Sequence, residues 1–242
     1  MLRPHGIFDQ SRRFVAQGGG GTPGPVVYDT PGDYVFTVPA GVTSIMVECW
    51  GGGGGSESIG TNSTNRMTAG AAGGAYARKT ISVSPGEEYP LTVGAGGNYV
   101  ATGTGQGGDT FFNTNVVLAK GGNKSGAIQC IGAAGTATGS IGDIVYAGGN
   151  GGDGTPAVNS KYFSGGGGSG AGSTGKGNNG SNYKSGLGGA AKEELGGKGG
   201  DGHYDIKGDD GAPFGGGGAG GVGGDIDVAG GNGGDGGIRI SW

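Results

Sequence analysis

Gly148-Gly149-Asn150-Gly151-Gly152-Asp153-Gly154, Gly196-Gly197-Lys198-Gly199-Gly200-Asp201-Gly202 and Gly230-Gly231-Asn232-Gly233-Gly234-Asp235-Gly236 are three copies of one heptad. Two glycines, another residue and two more glycines make a period of three. That is the period of the polyproline II conformation, not of an α-helix or a strand. Glycine enters it without proline, because it occupies those dihedrals on either side of zero. Such a segment makes no internal hydrogen bonds, so a folded one must pair its backbone sideways with neighbours. The alternative is a flexible Gly/Ser linker. Ordering costs about 1–2 kcal/mol per residue and most for glycine. Two features nevertheless point to an ordered polyglycine II bundle. Apolar residues recur through the stretch (Tyr162, Phe163, Tyr183, Leu187, Leu195, Tyr204, Phe214, Val222), and Gly237-Ile238-Arg239-Ile240-Ser241-Trp242 closes it as an alternating strand.

Outward from there, the composition excludes several classes. Glycine provides 70 of 242 residues but proline only 9, without a Gly-X-Y register, which rules out collagen. Charged residues are 14%, too few for charge-driven disorder. A net charge of −4 argues against a nucleic-acid partner. The aspartates at 201, 205, 209, 210, 225, 227 and 235 read as solvated loops. Cys49 and Cys130 make neither a disulfide framework nor a metal spacing, and Cys49 reads as a small core residue. No secretory leader or membrane-spanning run is apparent.

Residues 1–25 form an arm with apolar islands among arginines (Arg3, Phe8, Arg12, Arg13, Phe14). It either anchors to a partner or is a free terminus. Residues 26–146 carry strand patterns: Tyr34–Val38, Ser44–Trp50, Tyr76–Val83, Glu88–Val93, a hairpin of Thr110–Asn113 with Val116–Ala119, and further candidates at Ala127–Ile131 and Ile144–Tyr146. Residues 147–237 are the glycine bundle, and 238–242 the closing strand. No convincing 3.6-residue period appears, so the fold class is all-β with almost no α-helix.

Chemical motifs are weak. Gly-x-Gly-x-x-Gly recurs by chance at this glycine content. Gly170–Lys176 begins like a P-loop, but Gly177 stands where Ser or Thr must hold magnesium. The heptads begin like calcium-binding nonapeptides, yet they are not tandem and lack the apolar residue after the aspartate. His203 between Asp201 and Asp205 has a spacing that can ligate a metal, but a lone loop histidine is the commoner case. We therefore expect no catalytic residues, no metal and no cofactor. The islands Thr155–Ser164, Asn178–Leu187 and His203–Phe214 become turns gathered at the ends of the bundle. Tyr162, Phe163, Tyr183, His203 and Tyr204 are the candidate receptor-binding residues, with capping of the bundle as the competing role. Leu187, Leu195 and Phe214 read as caps.

Gly32-x-Tyr34-x-Phe36-x-Val38-Pro39-Ala40-Gly41-Val42-Thr43-x-Ile45-x-Val47-x-x-Trp50-Gly51-Gly52-Gly53-Gly54 resembles the opening of glycine-rich domains in phage tail and bacterial surface proteins. Gly73-Gly74-Ala75-Tyr76, Leu91–Gly97, Leu118-Ala119-x-Gly121-Gly122 and Gly237–Ile240 follow the same plan. The chain is also similar to the glycine-rich domain of anaplastic-lymphoma-kinase-type receptors and to polyglycine II phage tail-fibre adhesins. The resemblance implies a small antiparallel β-sandwich, jelly-roll or TNF-like, with an inserted polyglycine II bundle. It further implies a virion protein made in a host cytoplasm, present in several copies, whose arm (Arg3, Phe8, Arg12, Arg13, Phe14) holds other virion proteins and whose loops touch a bacterial glycan or outer-membrane protein. An architectural capsid or tail decoration protein and a bacterial surface-associated binding module are the other roles open to it.

Overall fold

The computed structural model describes residues 24–57, 69–99, 105–126, 131–158, 161–182, 186–193, 195–203, 207–221 and 229–242. Among these residues the regular structure is all β: β1 (Val26–Tyr28), β2 (Gly32–Thr37), β3 (Ser44–Trp50), β4 (Tyr76–Ser82), β5 (Glu88–Val93), β6 (Thr110–Phe112), β7 (Val117–Ala119), β8 (Ile144–Tyr146), β9 (Thr155–Val158), β10 (Lys161–Phe163) and β11 (Gly237–Ser241).

Two antiparallel sheets share one core. The first runs β1-β11-β3-β4-β8 and the second β2-β5-β6-β7. Period-two alternation sorts the side chains. Ile45, Val47 and Cys49 of β3 turn to the core, with Phe36, Leu91, Val93, Phe112, Val117, Ile238 and Ile240. Cys49 is a free, buried thiol whose pKa burial, helped by Glu48, pushes up. The closing strand is central rather than peripheral: β11 lies between β1 and β3, with Ile238 opposite Cys49 and Ile240 opposite Val47. Everything between β8 and β11 must therefore leave this sheet and return to it.

The strand patterns of β2 to β8 match the alternation. Within the expected Ala127–Ile131 strand, 127–130 lie outside the described residues, and Ile131 is in no strand. Three elements escape pattern reading. β1 and β10 are three residues long, and β9 contains Pro156, a residue that usually marks an edge or a break. The Thr155–Ser164 island thus holds a two-stranded ribbon, β9 with β10, and not only a turn.

The other glycine segments form a hydrogen-bonded lattice with a three-residue beat. Along 51–56, the N–H groups of Gly51 and Gly54 donate to the carbonyls of Ala75 and Ala72. Those of Gly52 and Gly55 donate to Gly108 and Gly105, and those of Gly53 and Ser56 to Gly234 and Gly231. Three neighbours are thus served in rotation. Segment 166–171 repeats the rule, serving Ser181 and Asn178, Gly200 and Gly197, then Ala71 and Gly74. The short glycine runs of the first half belong to this lattice as fully as those after Ala147.

Close approach explains why glycine is required. A Cβ built on Gly53 would lie 2.0 Å from the Gly216 carbonyl oxygen, and one on Gly73 1.9 Å from that of Ser169. A backbone hydrogen bond contributes about 1 kcal/mol net, no more than the ordering of its residue costs. The lattice holds because each segment is paired on several sides and buried at once.

Candidate functional site

The registers give the lattice two ends. At the sheet end, Gly51 pairs with Ala75, Gly52 with Gly108, Gly74 with Gly215, and Gly236 with Gly94. At the far end, Gly55 pairs with Gly105, Gly70 with Gly152, Gly166 with Ser181, Gly202 with Gly186, and Gly208 with Ala229. Successive segments run up and down between these levels. Consequently the described residues that flank 58–68, 100–104, 127–130, 183–185, 204–206 and 222–228, together with the β9–β10 ribbon, are all at the far end.

The described residues next to the candidate receptor-binding residues lie at this end. Tyr162 and Phe163 sit in β10, which follows Asp153 and precedes Ser164. His203 is placed directly: its Nε2 is 2.9 Å from Asp209 Oδ1, and its carbonyl accepts a 3.2 Å hydrogen bond from Ser164 Oγ. Tyr183 and Tyr204 lie outside the described residues. So do Arg3, Phe8, Arg12, Arg13 and Phe14 of the arm. Leu187, read from sequence as a cap, is 56% exposed here, and Tyr99 and Ile131 join it as exposed apolar groups at the same end. Sequence reading passed over Tyr99 and placed Ile131 in a candidate strand, Ala127–Ile131, so neither was singled out as a surface group. Leu195 and Phe214 do cap: both pack on Trp50 and Tyr76 at the sheet end.

Charges at the far end are arranged in short pairs. Lys198 Nζ lies 2.7 Å from Asp201 Oδ2, Lys207 Nζ 2.8 Å from Asp210 Oδ1, and Lys124 Nζ 2.6 Å from Glu57 Oε1. Lys207 also lies over the Tyr99 ring, 5.5 Å from its centroid. Burial pushes the Asp201 carboxyl up, but hydrogen bonds from Lys198 and the Gly188 N–H outweigh it and hold its pKa below the ordinary value. Asp210 behaves alike, with Lys207 and the Asn232 N–H as its donors.

The heptad's polar positions have a role that the sequence reading did not assign. Where a backbone N–H reaches the lattice margin, an Asn or Asp side-chain oxygen takes the place of the missing carbonyl. Gly135 and Gly132 donate to Asn150 and Asp153, at 2.9 and 2.8 Å. Asn150 and Asp153 donate in turn to Asn179 and Asn182, both at 3.0 Å. Tyr99 and Gly96 donate to Asn232 and Asp235, at 2.9 and 2.8 Å, and Gly188 donates to Asp201 at 2.7 Å. The acceptors recur three apart because the backbone does. Asp201, Asp210 and Asp235 are thus lattice caps as well as solvated charges. The three-residue spacing of Asn and Asp was the available signal. Among the described residues, no three His, Cys, Asp or Glu side chains converge on a metal position.

A family model described as Glycine-rich domain matches residues 28–242. The chain belongs to the glycine-rich domain family. No curated protein matches it. The match begins in β1 and runs through β11, so this glycine-rich domain comprises both sheets and the whole lattice. Residues 1–27 precede it.

Proposed function

We propose that this glycine-rich domain is a phage virion protein, a tail-fibre or tail-tip adhesin, that presents receptor-binding loops on a polyglycine II scaffold. The observation that carries the reading is the position, at the end remote from the sheets, of the described residues that flank the polar and aromatic loops. A rigid, close-packed frame that collects its aromatic and polar segments at one end suits recognition by loops. The exposed Tyr99, Ile131 and Leu187 add apolar contact area there.

The three-residue beat of hydrogen-bond partners supports polyglycine II as the segment conformation, since three residues per turn present N–H groups in three directions. A common core between two antiparallel sheets, with the last strand inserted beside β3, supports a jelly-roll or TNF-like sandwich as the base. On this reading Tyr162, Phe163, Tyr183, His203 and Tyr204 contact a bacterial surface glycan or protein. The arm, through Arg3, Phe8, Arg12, Arg13 and Phe14, attaches the domain to other virion proteins, with several copies per particle.

The test is binding of the labelled full chain to intact candidate host cells. Saturable binding that is lost in Tyr162→Ala, Tyr183→Ala or Tyr204→Ala, with unchanged thermal unfolding, is the expected result. Absence of binding to every host that the parent particle infects would sink the adhesin reading and leave an architectural one.

A further inference from the structure

The outer face of the second sheet carries an apolar row that belongs to neither core cluster. On β2 the alternation turns Tyr34 and Phe36 to the core and sends Asp33, Val35 and Thr37 outward. Register carries that outer face across the sheet. Val35 is opposite Pro90, Thr92 opposite Phe111, and Phe111 opposite Leu118, which bridges Ile141. Val35 is 49% exposed and Ile141 39%. Pro90 is exposed, and Phe111 and Leu118 are half-buried. None of the five packs into either hydrophobic cluster. An apolar patch rimmed by polar groups marks an interaction surface.

The charge of this face is one-sided. β2, β5, β6 and β7 contain Asp33 and Glu88, both exposed, and no lysine or arginine. Asp29 and Glu87, exposed in the connections that lead into β2 and β5, add to it. Lys120, just past β7, is already paired with Asp109. Two copies of the face would set like charges against each other, which disfavours self-association through it. The fitting occupant is apolar and basic.

Residues 1–23 have that chemistry. Arg3, Arg12 and Arg13 stand against a single acid, Asp9, with Phe8 and Phe14 among them. The chain also starts from the right place, because Gly24 sits at the rim of the face. A Cβ on Gly24 would lie 3.1 Å from the Trp242 ring. That ring is 6.0 Å from the Phe36 ring of β2, and β2 is the outermost strand of its sheet. Phe14 is ten residues before Gly24, a reach of up to about 33 Å, whereas four strands span about 14 Å. On so short a tether the arm meets the face at an effective concentration on the order of millimolar, far above that of other copies in dilute solution.

We infer that the arm, through Phe8–Phe14, lies across the outer face of β2, β5, β6 and β7 of its own chain. Its phenylalanines cover the apolar row, and its arginines stand beside Asp33 and Glu88. This is the state of the free subunit and does not rest on the adhesin reading; a particle partner that takes the arm competes with the face for it.

Trypsin cleavage after Arg12 and Arg13 in the folded full chain, followed by mass spectrometry at micromolar protein, tests the docking. Cleavage tracks the population of the open form, so an arm docked about nine-tenths of the time is cut about tenfold more slowly than a free one. Val35→Gln/Leu118→Gln is expected to be cut about tenfold faster than the parent. Asp33→Asn/Glu88→Gln alters only exposed groups, so folding is not at stake, and it should also be cut severalfold faster. Thermal unfolding is followed for every variant. If the Leu118 change destabilises the fold, the charge variant decides alone. A charge variant cut at the parental rate overturns the inference. So does protection that appears only as rising concentration brings dimers, which would assign the face to a second copy's arm.

Discussion

Replacement of Gly53 by alanine is the sharpest probe of the lattice. The new Cβ would stand 2.0 Å from the Gly216 carbonyl oxygen, and ordinary contact needs about 3.4 Å or more. Both partners are backbone, so no side chain can swing aside. Relief requires the 51–56 segment to move away by more than an ångström. Three buried hydrogen bonds share those groups: Gly53 N–H to Gly234, Gly97 N–H to Gly53, and Gly234 N–H to Gly216. Each buried group left unpaired costs about 1–3 kcal/mol, so the loss should be about 3–9 kcal/mol, comparable with a whole domain's stability. Gly126→Ala is the control, because nothing lies within 4 Å of its Cβ position. It should be neutral or stabilise by up to ~1 kcal/mol. Urea unfolding followed by circular dichroism measures both. A Gly53→Ala protein within about 1 kcal/mol of the parent would refute close packing as the reason for glycine there.

Asp235→Ala should destabilise by about 1–3 kcal/mol, because the Gly96 N–H loses its acceptor; Asp235→Asn keeps an acceptor and should recover most of this, as thermal denaturation will report. Glu48→Ala removes the shared partner of Tyr76 and Arg239 beneath the β3–β11 face. Loss of about 3 kcal/mol is expected, the low end for a buried pair because Arg239 is partly exposed. The depressed carboxyls of Asp201 and Asp210 stabilise the fold above the ordinary carboxylate pKa, and that stability is lost as pH falls through their lower folded-state values. The melting temperature should therefore drop below about pH 4, and Lys198→Met should shallow that acid limb; an unchanged limb would disprove the assignment.

Much of the sheet was legible because burial leaves a period-two trace. Ile45, Val47 and Cys49 alternate with Met46, Glu48 and Trp50, and the structure sends the two sets to opposite faces. β9 was not legible, since Pro156 masks a strand that pairs only with its neighbour β10. The loop islands were identifiable as breaks in glycine. That the described residues flanking 183–185 and 204–206 lie at the same end as the β9–β10 ribbon followed only from the registers of segments far apart in the chain.

The sequence by itself determined the three-residue beat, the all-β class and the return of the chain to β11, because these depend on local conformation and on alternation along one strand. The tertiary structure alone decided which segments are neighbours. Gly53 meets residues 97, 216 and 234, and nothing in a run of identical glycines distinguishes those partners from others. The physical reason is that glycine has no side chain to encode a match. Pairing is instead set by where strands and turns deliver each segment, and the lattice margins by where Asn and Asp stand in for an absent carbonyl. The outer face of the second sheet has the same origin: Val35, Pro90, Phe111 and Leu118 come from four strands, and only their registers make one row of them.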